Sequence, residues 1–259
     1  MPVPYLDHGG RIALAHRGFS AAGLENSMAA FAAAVELGFS YVETDVHATA
    51  DGVAVAFHDE TLDRVTDGTG RVADLPWSRV RQARIGGAEP VPTLEDLLGA
   101  WPGLRVNIDI KAAGAIRPPV EEIERTGAHD RVCIASFSDS RRRAALGALS
   151  RPVATSAGNR VTAAFLALAN ARSGAGVRRV LRGVHCLQVP ERHGGVPVVT
   201  RRTVEAAHAA GVQVHVWTVN APEDMRRLLD LGVDGLVSDR ADLLRAELVG
   251  RGEWSGPTP

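Results

Sequence analysis

The chain has 259 residues, of which 45% are hydrophobic and 23% are charged, and this composition is typical of a globular protein. Its 29 basic and 30 acidic residues give a formal net charge of -1, so no global field favours nucleic acid or an anionic membrane as a partner. Any anionic ligand must therefore be held by charges that are local to one site.

The N-terminal residues and the two cysteines bear on the location and the covalent framework of the protein. Residues 1–11 contain prolines and glycines and no apolar run, so we expect neither a signal peptide nor an integral membrane segment, and hence a cytoplasmic protein. Cys133 and Cys186 stand far apart and lack the spacing of metal ligands, so we expect two free, buried thiols.

Short apolar runs bounded by turn residues recur along the chain and predict β-strands. We predict eight, at residues 12–16, 41–47, 104–111, 132–136, 153–156, 184–189, 212–217 and 234–238. Segments of helical composition lie between them, and several end at a glycine, the usual left-handed stop of a helix. Examples are residues 27–37, 94–100, 144–149, 203–210 and 222–231.

The alternation of strands and helices requires parallel pairing, and eight such units predict an α/β fold, the (β/α)₈ TIM barrel. The alternative is an open, doubly wound sheet, which needs a topological switch point and usually has fewer strands. No composition shift marks a second domain. We therefore predict one domain over residues 1–259, with a barrel core over about 12–244.

The connection after the second strand departs from this pattern. A segment at about residues 48–92 separates that strand from the next helix, and a typical loop between a strand and a helix is far shorter. It contains an extended run, residues 53–57, which His58 and Asp59 follow. We predict a long insertion here, and such a loop lies on the catalytic face of a barrel.

The second and third strands direct polar side chains into the barrel, because residues two apart on a strand share a face. The inward residues are Glu43, Asp45, His47, Asn107, Asp109 and Lys111. Burying several unpaired carboxylates is costly, so a positive group must lie among them.

Two arrangements supply that positive group. One is a structural layer of ion pairs between the acids and the side chains of Arg17 and Lys111. The other, which we predict, is a divalent cation bound by Glu43, Asp45 and Asp109. Ligands that are all oxygen favour Mg²⁺ or Ca²⁺ over zinc.

Two histidines lie beside this acid cluster. His16 ends the first strand, and His58 precedes Asp59, which is placed to orient the imidazole. Each alone is more often structural than catalytic. Together they supply the base and the acid that cleavage of a phosphodiester requires, and Arg17 and Lys111 are suited to contact the nonbridging phosphate oxygens.

Trp217 points inward on the seventh strand, two residues after His215. We predict that its ring is an aromatic wall for the substrate; the alternative is a plug in the barrel core. For His47 and His215 we expect hydrogen-bonded interior positions and assign no role.

An ordered series of motifs resembles the glycerophosphodiester phosphodiesterase family over about residues 12–244. The motifs are His16-Arg17-Gly18, Glu25-Asn26-Ser27, Glu43-Thr44-Asp45, Asp51-Gly52, Phe57-His58-Asp59, Val91-Pro92-Thr93-Leu94-Glu95, Asn107-Ile108-Asp109-Ile110-Lys111, Val216-Trp217-Thr218-Val219-Asn220 and Gly232-Val233-Asp234-Gly235. Each motif alone is weak, but the ordered series is specific.

The resemblance implies a barrel fold and hydrolysis of a glycerophosphodiester to glycerol 3-phosphate and an alcohol. It implies acid and base roles for the two histidines, Mg²⁺ or Ca²⁺ on the three acids, and phosphate contacts from Arg17 and Lys111. Asp109 departs from the pattern, because the family commonly has the longer glutamate there.

Two other functions stay open from the sequence. One is a phospholipase-type phosphodiesterase acting on a lysophospholipid or phosphoinositide, although no amphipathic basic helix suits a membrane surface. The other is a catalytically inactive metal-binding barrel, although both histidines and all the acids are present. In either case we expect a small-molecule substrate or ligand and no nucleic-acid partner.

Overall fold

The computed structural model describes residues 3–20 and 23–256, so the other residues of the predicted domain, 1, 2, 21, 22 and 257–259, lie outside the described residues. Its strands are β1 (Ile12–His16), β2 (Tyr41–Ala48), β3 (Ala54–Ala56), β4 (Arg84–Ile85), β5 (Glu89–Pro90), β6 (Arg105–Ile110), β7 (Val132–Ala135), β8 (Ala154–Thr155), β9 (Cys186–Pro190), β10 (Arg192–His193), β11 (Val196–Pro197), β12 (Gln213–Trp217) and β13 (Gly235–Ser238). Its α-helices are α1 (Met28–Glu36), α2 (Trp77–Val80), α3 (Leu94–Ala100), α4 (Arg117–Thr126), α5 (Asp139–Ala148), α6 (Asn159–Asn170), α7 (Gly174–Val180), α8 (Arg201–His208), α9 (Pro222–Leu231) and α10 (Ala241–Gly250).

Eight parallel strands form the barrel, in the order β1, β2, β6, β7, β8, β9, β12 and β13, and β13 pairs back onto β1. The seam between β8 and β9 is thin: it consists of a bridge between Ser156 and Cys186 and a hydrogen bond from Ala157 N to Cys186 O. The predicted α/β barrel is confirmed, and the open doubly wound sheet is excluded.

The main core lies between the barrel and its helices. The outward side chains of β2 and β6 are buried there, as the alternation predicts: Val42, Val46, Val106, Ile108 and Ile110. Inside the barrel, Cys133 and Cys186 are free, buried thiols, also as predicted. The strand alternation thus separates an apolar outer layer from an interior that holds a smaller apolar cluster and the polar side chains of β2 and β6.

Local signals in the sequence set several helix ends. The hydroxyl of Ser27 accepts a hydrogen bond from Ala30 N at the start of α1. A reciprocal capping box of Thr93 and Asp96 begins α3. Pro222 begins α9, and Gly232 ends it in the left-handed conformation.

The connection between β2 and α3 has an apolar cluster of its own. β3 pairs antiparallel with β2, and α2 and the hairpin of β4 and β5 follow. Its buried side chains are Val55, Phe57, Leu62, Val72, Val80, Ala83, Ile85 and Val91. These residues occupy the stretch for which the sequence predicts an insertion, and they support the loop that carries His58.

Within residues 3–20 and 23–256, no helix is both long enough and apolar enough to cross a membrane.

Candidate active site

A cavity of about 350 Å³ opens at the carboxyl ends of the barrel strands. All eight site residues predicted from the sequence line it: His16, Arg17, Glu43, Asp45, His58, Asp109, Lys111 and Trp217. The fold therefore brings together residues that are widely separated along the chain.

Asp45 lies at the centre of a network of ion pairs. Lys111 Nζ is 2.7 Å from both Asp45 Oδ1 and Asp109 Oδ2. Arg17 Nε is 2.9 Å from Asp45 Oδ2, to which Asn26 Nδ2 also donates a hydrogen bond of 3.1 Å. Burial alone would raise the pKa of Asp45, but Lys111 and Arg17 outweigh it and lower the pKa. The layer of ion pairs considered from the sequence is therefore present.

Two carboxylate groups, those of Glu43 and Asp109, are less fully neutralised by positive side chains than Asp45. Burial, and then the charge of Asp45, raises the pKa of Glu43 to about 8. Glu43 Oε2 accepts a hydrogen bond of 3.3 Å from Arg17 N and lies 3.7 Å from His16 Nε2. Asp109 Oδ1 is buried without a hydrogen-bond partner in the described part of the chain. A cation placed here would neutralise buried negative charge that the positive side chains of the protein do not balance.

The acid cluster has the donor chemistry of a site for a hard cation, since its donors are carboxylate oxygens. Glu43 and Asp109 are suited to bind such an ion. The negative charge of Glu43 is poorly neutralised, and Asp109 Oδ1 has no hydrogen-bond partner among the described residues. Both oxygens of Asp45 already contact cationic side chains. Among the described residues, no three His, Cys, Asp or Glu side chains are grouped closely enough to hold a metal ion.

His16 is held by an acid that the sequence analysis missed. Its Nδ1 donates to Asp239 Oδ1 at 2.6 Å, and Asn220 Nδ2 donates to Asp239 Oδ2 at 2.8 Å. Burial alone would lower the pKa of His16, but the hydrogen bond with Asp239 and the charge of Glu43 raise it. With Nδ1 engaged, Nε2 is the nitrogen left for proton transfer. The available signal was position: Asp239 follows β13, the neighbour of β1.

His58 is held in a similar way from the other side of the mouth. Its Nδ1 lies 2.6 Å from Asp59 Oδ1, and Arg64 Nε donates to Asp59 Oδ2 at 2.5 Å. The Arg64 hydrogen bond lowers the pKa of Asp59 to about 2. Arg64 also pairs with Glu25, which accepts a hydrogen bond of 2.9 Å from Arg17 NH1. Ion pairs thus link the His58 loop to Arg17, and the sequence analysis did not find Arg64.

The interior histidines His47 and His215 are hydrogen-bonded, as the sequence predicts. His47 Nε2 donates to the backbone oxygen of His58 at 3.1 Å. His215 Nε2 donates to Gln213 Oε1 at 3.0 Å, and its side chain is fully buried. His47 thereby holds the backbone of His58, the second histidine of the cavity.

The turn after β1 directs the Arg17 side chain. Arg17 has a φ of 56°, an unusual conformation for a residue with a side chain, and Gly18 follows with a φ of 83°. A Cβ atom at Gly18 would lie 2.6 Å from the carbonyl carbon of Ala30, so only glycine fits. This turn holds Arg17 N at 3.0 Å from Glu43 O.

An aromatic pair forms the apolar side of the cavity. The rings of Trp217 and Phe137 are 5.8 Å apart at an angle of 39°, and Lys111 Nζ lies 5.4 Å from the Phe137 centroid. Phe137 is 51% exposed. Trp217 is thus part of the cavity lining, whereas Phe137 comes from the loop after β7 and was missed from the sequence.

Active sites of (β/α)₈ barrels lie at the carboxyl ends of the strands, so the fold and this charged cavity define a barrel enzyme. A family model described as "Glycerophosphoryl diester phosphodiesterase family" matches residues 16–243. The chain belongs to this family, and the resemblance predicted from the motifs is confirmed.

Individual relatives agree with this assignment. The chain is 54% identical over 255 residues to a probable glycerophosphodiester phosphodiesterase 2 of Mycobacterium tuberculosis, covering 98% of this chain and 97% of the relative. It is 31% identical over 259 aligned positions to a glycerophosphodiester phosphodiesterase of Caldanaerobacter subterraneus subsp. tengcongensis, covering 90% and 96% of the two chains.

Solved structures show the same fold. A glycerophosphodiester phosphodiesterase from Agrobacterium tumefaciens superposes with a TM-score of 0.71 at 26% identity, covering 93% of this chain and 100% of the other. A phosphodiesterase from Oleispira antarctica, solved in complex with the product sn-glycerol-3-phosphate, gives a TM-score of 0.76 at 23% identity over 93% and 97% of the two chains.

Proposed function

We propose that this enzyme hydrolyses glycerophosphodiesters to glycerol 3-phosphate and an alcohol, by acid and base catalysis from its two cavity histidines. The observation that carries the proposal is their arrangement: His16 and His58 line one cavity, and each has a carboxylate partner 2.6 Å from Nδ1. Family membership and the name of the 54% identical relative support the substrate class.

The phosphate binds between Arg17 and Lys111. Arginine presents forked donors to phosphate oxygens, and lysine acts as a point charge. Burial would lower the pKa of Lys111, but Asp109 and Asp45 outweigh it and raise the pKa, so the ammonium keeps its charge in the cavity. The same two side chains neutralise the charge that develops on the phosphoryl oxygens.

His16 acts as the base and His58 as the acid. Because Asp239 occupies Nδ1 of His16, Nε2 takes a proton from the nucleophile, which is the glycerol 2-hydroxyl or a water molecule. Attack by water displaces the alcohol directly, whereas attack by the 2-hydroxyl displaces the alcohol and leaves a cyclic phosphodiester, which a water molecule then opens to glycerol 3-phosphate. Asp59 engages Nδ1 of His58, so its Nε2 is the nitrogen that gives a proton to the leaving oxygen. Each carboxylate keeps its imidazole in the required tautomer and orientation, as in other His-Asp pairs.

Of the predicted ligands Glu43, Asp45 and Asp109, we propose that Glu43 and Asp109 would hold a Mg²⁺ or Ca²⁺ ion, because both oxygens of Asp45 already contact cationic side chains. The raised pKa of Glu43 and the unpartnered Asp109 Oδ1 support this part of the proposal. When bound, the ion supplies positive charge that stabilises the phosphoryl group. Removing it with EDTA should abolish turnover, and returning Mg²⁺ or Ca²⁺ should restore turnover and raise the melting temperature. An enzyme fully active after EDTA treatment would show that no such ion is needed.

The histidine roles are tested by the variants His16→Ala and His58→Ala. Each should lower kcat for glycerophosphocholine by at least about 100-fold, because general acid-base catalysis contributes about 10²–10⁴-fold. His208→Ala is a matched control, since His208 also pairs with an aspartate, 2.7 Å from Asp234, outside the cavity. Turnover within tenfold of the parent in both cavity variants would disprove the assignment.

The same assays separate the alternative functions. Activity on micellar lysophospholipid but not on water-soluble diesters would favour the phospholipase-type enzyme. No turnover of any diester would favour an inactive barrel. The cytoplasmic location stays a prediction that cell fractionation tests.

A further inference from the structure

A pair of side-chain amides lies deep in the cavity, and the proposed chemistry does not use it. Asn107, on β6, is only 3% exposed, and Gln188 lies on β9. Gln188 Nε2 donates to Asn107 Oδ1 at 3.0 Å. Because β7 and β8 separate the two strands around the barrel, this hydrogen bond crosses the barrel interior.

Two polar atoms of the amide pair are free to form further hydrogen bonds. Asn107 Nδ2 and Gln188 Oε1 have no hydrogen-bond partner among the described residues, yet neither is a buried orphan atom, so both are accessible from the cavity. The hydrogen-bonded pair thus offers the cavity one amide N–H donor, from Asn107, and one carbonyl acceptor, from Gln188. A hydroxyl group both donates and accepts, so it complements the two kinds of group that the pair presents.

The amide pair lies one layer below the phosphate-binding side chains. On β6, Asn107 comes two positions before Asp109 and four before Lys111, and all three point into the cavity. In the barrel register, Asn107 is opposite Glu43, and Asp109 is opposite Asp45. A phosphodiester held between Arg17 and Lys111 can therefore extend one alcohol arm toward the amides and the other toward the mouth.

We infer that Asn107 and Gln188 bind the terminal hydroxyl of the substrate's glycerol arm, so this pair selects glycerophosphodiesters over diesters that lack the hydroxyl. The inference rests on the proposed function and adds its specificity determinant. The amides are uncharged, so they recognise a polyol rather than a charged head group. A substrate without the hydroxyl leaves a buried donor and acceptor unpaired, and that penalty produces the discrimination.

The test uses two diesters that share a p-nitrophenyl leaving group. One carries a 2,3-dihydroxypropyl arm and the other a 2-hydroxypropyl arm, so they differ only in the terminal hydroxyl and both keep the hydroxyl next to the phosphate. Release of p-nitrophenolate gives kcat and KM for each. The wild-type enzyme should prefer the dihydroxypropyl ester by about tenfold or more in kcat/KM, the effect expected for one lost hydrogen bond to a buried site.

Gln188→Met keeps the length of the side chain and removes its hydrogen bonds. It should bring the preference to within about twofold, mainly by raising KM for the dihydroxypropyl ester. The matched control is Gln213→Met, on the neighbouring strand β12, whose amide contacts His215 and does not line the cavity. The control should keep the wild-type preference.

Two outcomes would overturn the inference alone: an active wild-type enzyme with no preference between the esters, or a Gln188→Met enzyme that keeps the full preference. If Gln188→Met fails to fold, the wild-type preference still decides, and Asn107→Asp, which loses the N–H donors, should reduce it. A wild-type enzyme that cleaves neither ester would overturn the proposed function, and the inference with it.

Discussion

At the scale of single residues, the orientation of each cavity histidine depends on an acid that does not itself line the cavity. Asp239 accepts from His16 Nδ1 and is itself fixed by Asn220, whose Oδ1 accepts from Asp239 N at 3.0 Å. Such outer partners commonly fix the tautomer and the ring orientation of a functional histidine. Asp239 is thus a positioning residue for the proposed base.

Asp239→Asn should therefore lower kcat by about 10–100-fold and leave KM for glycerophosphocholine nearly unchanged, because the phosphate contacts are intact. Steady-state kinetics measure both constants. Asp242→Asn, which removes an acid from an exposed pair with Arg240, is the control and should behave like the wild type. A normal kcat in Asp239→Asn would show that His16 needs no acid partner.

The three acids of the cluster were predictable from the sequence because a strand fixes the direction of each. Glu43, Asp45 and Asp109 follow from a two-residue alternation, which needs no knowledge of the rest of the fold. Asp239 and Arg64 lie beyond strand ends, where the path of the chain is set by tertiary contacts. Asp239 meets His16 across 223 positions of sequence, and no local pattern encodes that contact.

At the scale of elements, the turn after β1 brings the backbone of Gly18 into close contact with Ala30 of α1. Gly18→Ala places a methyl group against the backbone of Ala30 in a left-handed conformation, with φ at 83°. The matched control is Gly52→Ala, with φ at 84° and no heavy atom within 4 Å of the new Cβ. The two variants share the conformational cost and differ in the clash.

Gly52→Ala should reduce the free energy of unfolding by about 1–2 kcal/mol, the cost of a left-handed residue with a Cβ. Gly18→Ala should cost more and also lower kcat/KM, because the neighbouring Arg17 must move. Urea unfolding and steady-state kinetics measure the two effects. Equal stability and activity in the two variants would show that the close approach to Ala30 is unimportant.

Helix ends were predictable where capping residues mark them. The predicted bounds of α3 and α9 match the structure, and these helices begin at the Thr93 capping box and at Pro222. Helices α6 and α10 have no cap from their own N-cap residues, Gly158 and Arg240, and neither is among the helices named from the sequence. The first backbone N–H groups of α6 donate instead to Asp139, on α5. Without a local cap, alanine-rich or mixed composition alone marks no boundary.

At the scale of the whole molecule, barrel closure assembles the site. The pairing of β13 with β1 brings Asp239 to His16, while β2 and β6 present the acids beside them. The eight strands were predictable because each is a separate apolar run. The thin seam between β8 and β9 was not, because the number of bonds across it depends on how these two strands meet when the barrel closes. The balanced overall charge also agrees with a site that holds its anion through Arg17 and Lys111.

The most direct test of the central claim is the identity of the phosphorus-containing product. Glycerophosphocholine, incubated with the enzyme and Mg²⁺ or Ca²⁺, should give the ³¹P NMR signal of glycerol 3-phosphate and none of phosphocholine, and the His16→Ala enzyme should give neither. Formation of phosphocholine, or an unchanged diester signal with the wild-type enzyme, would contradict the account.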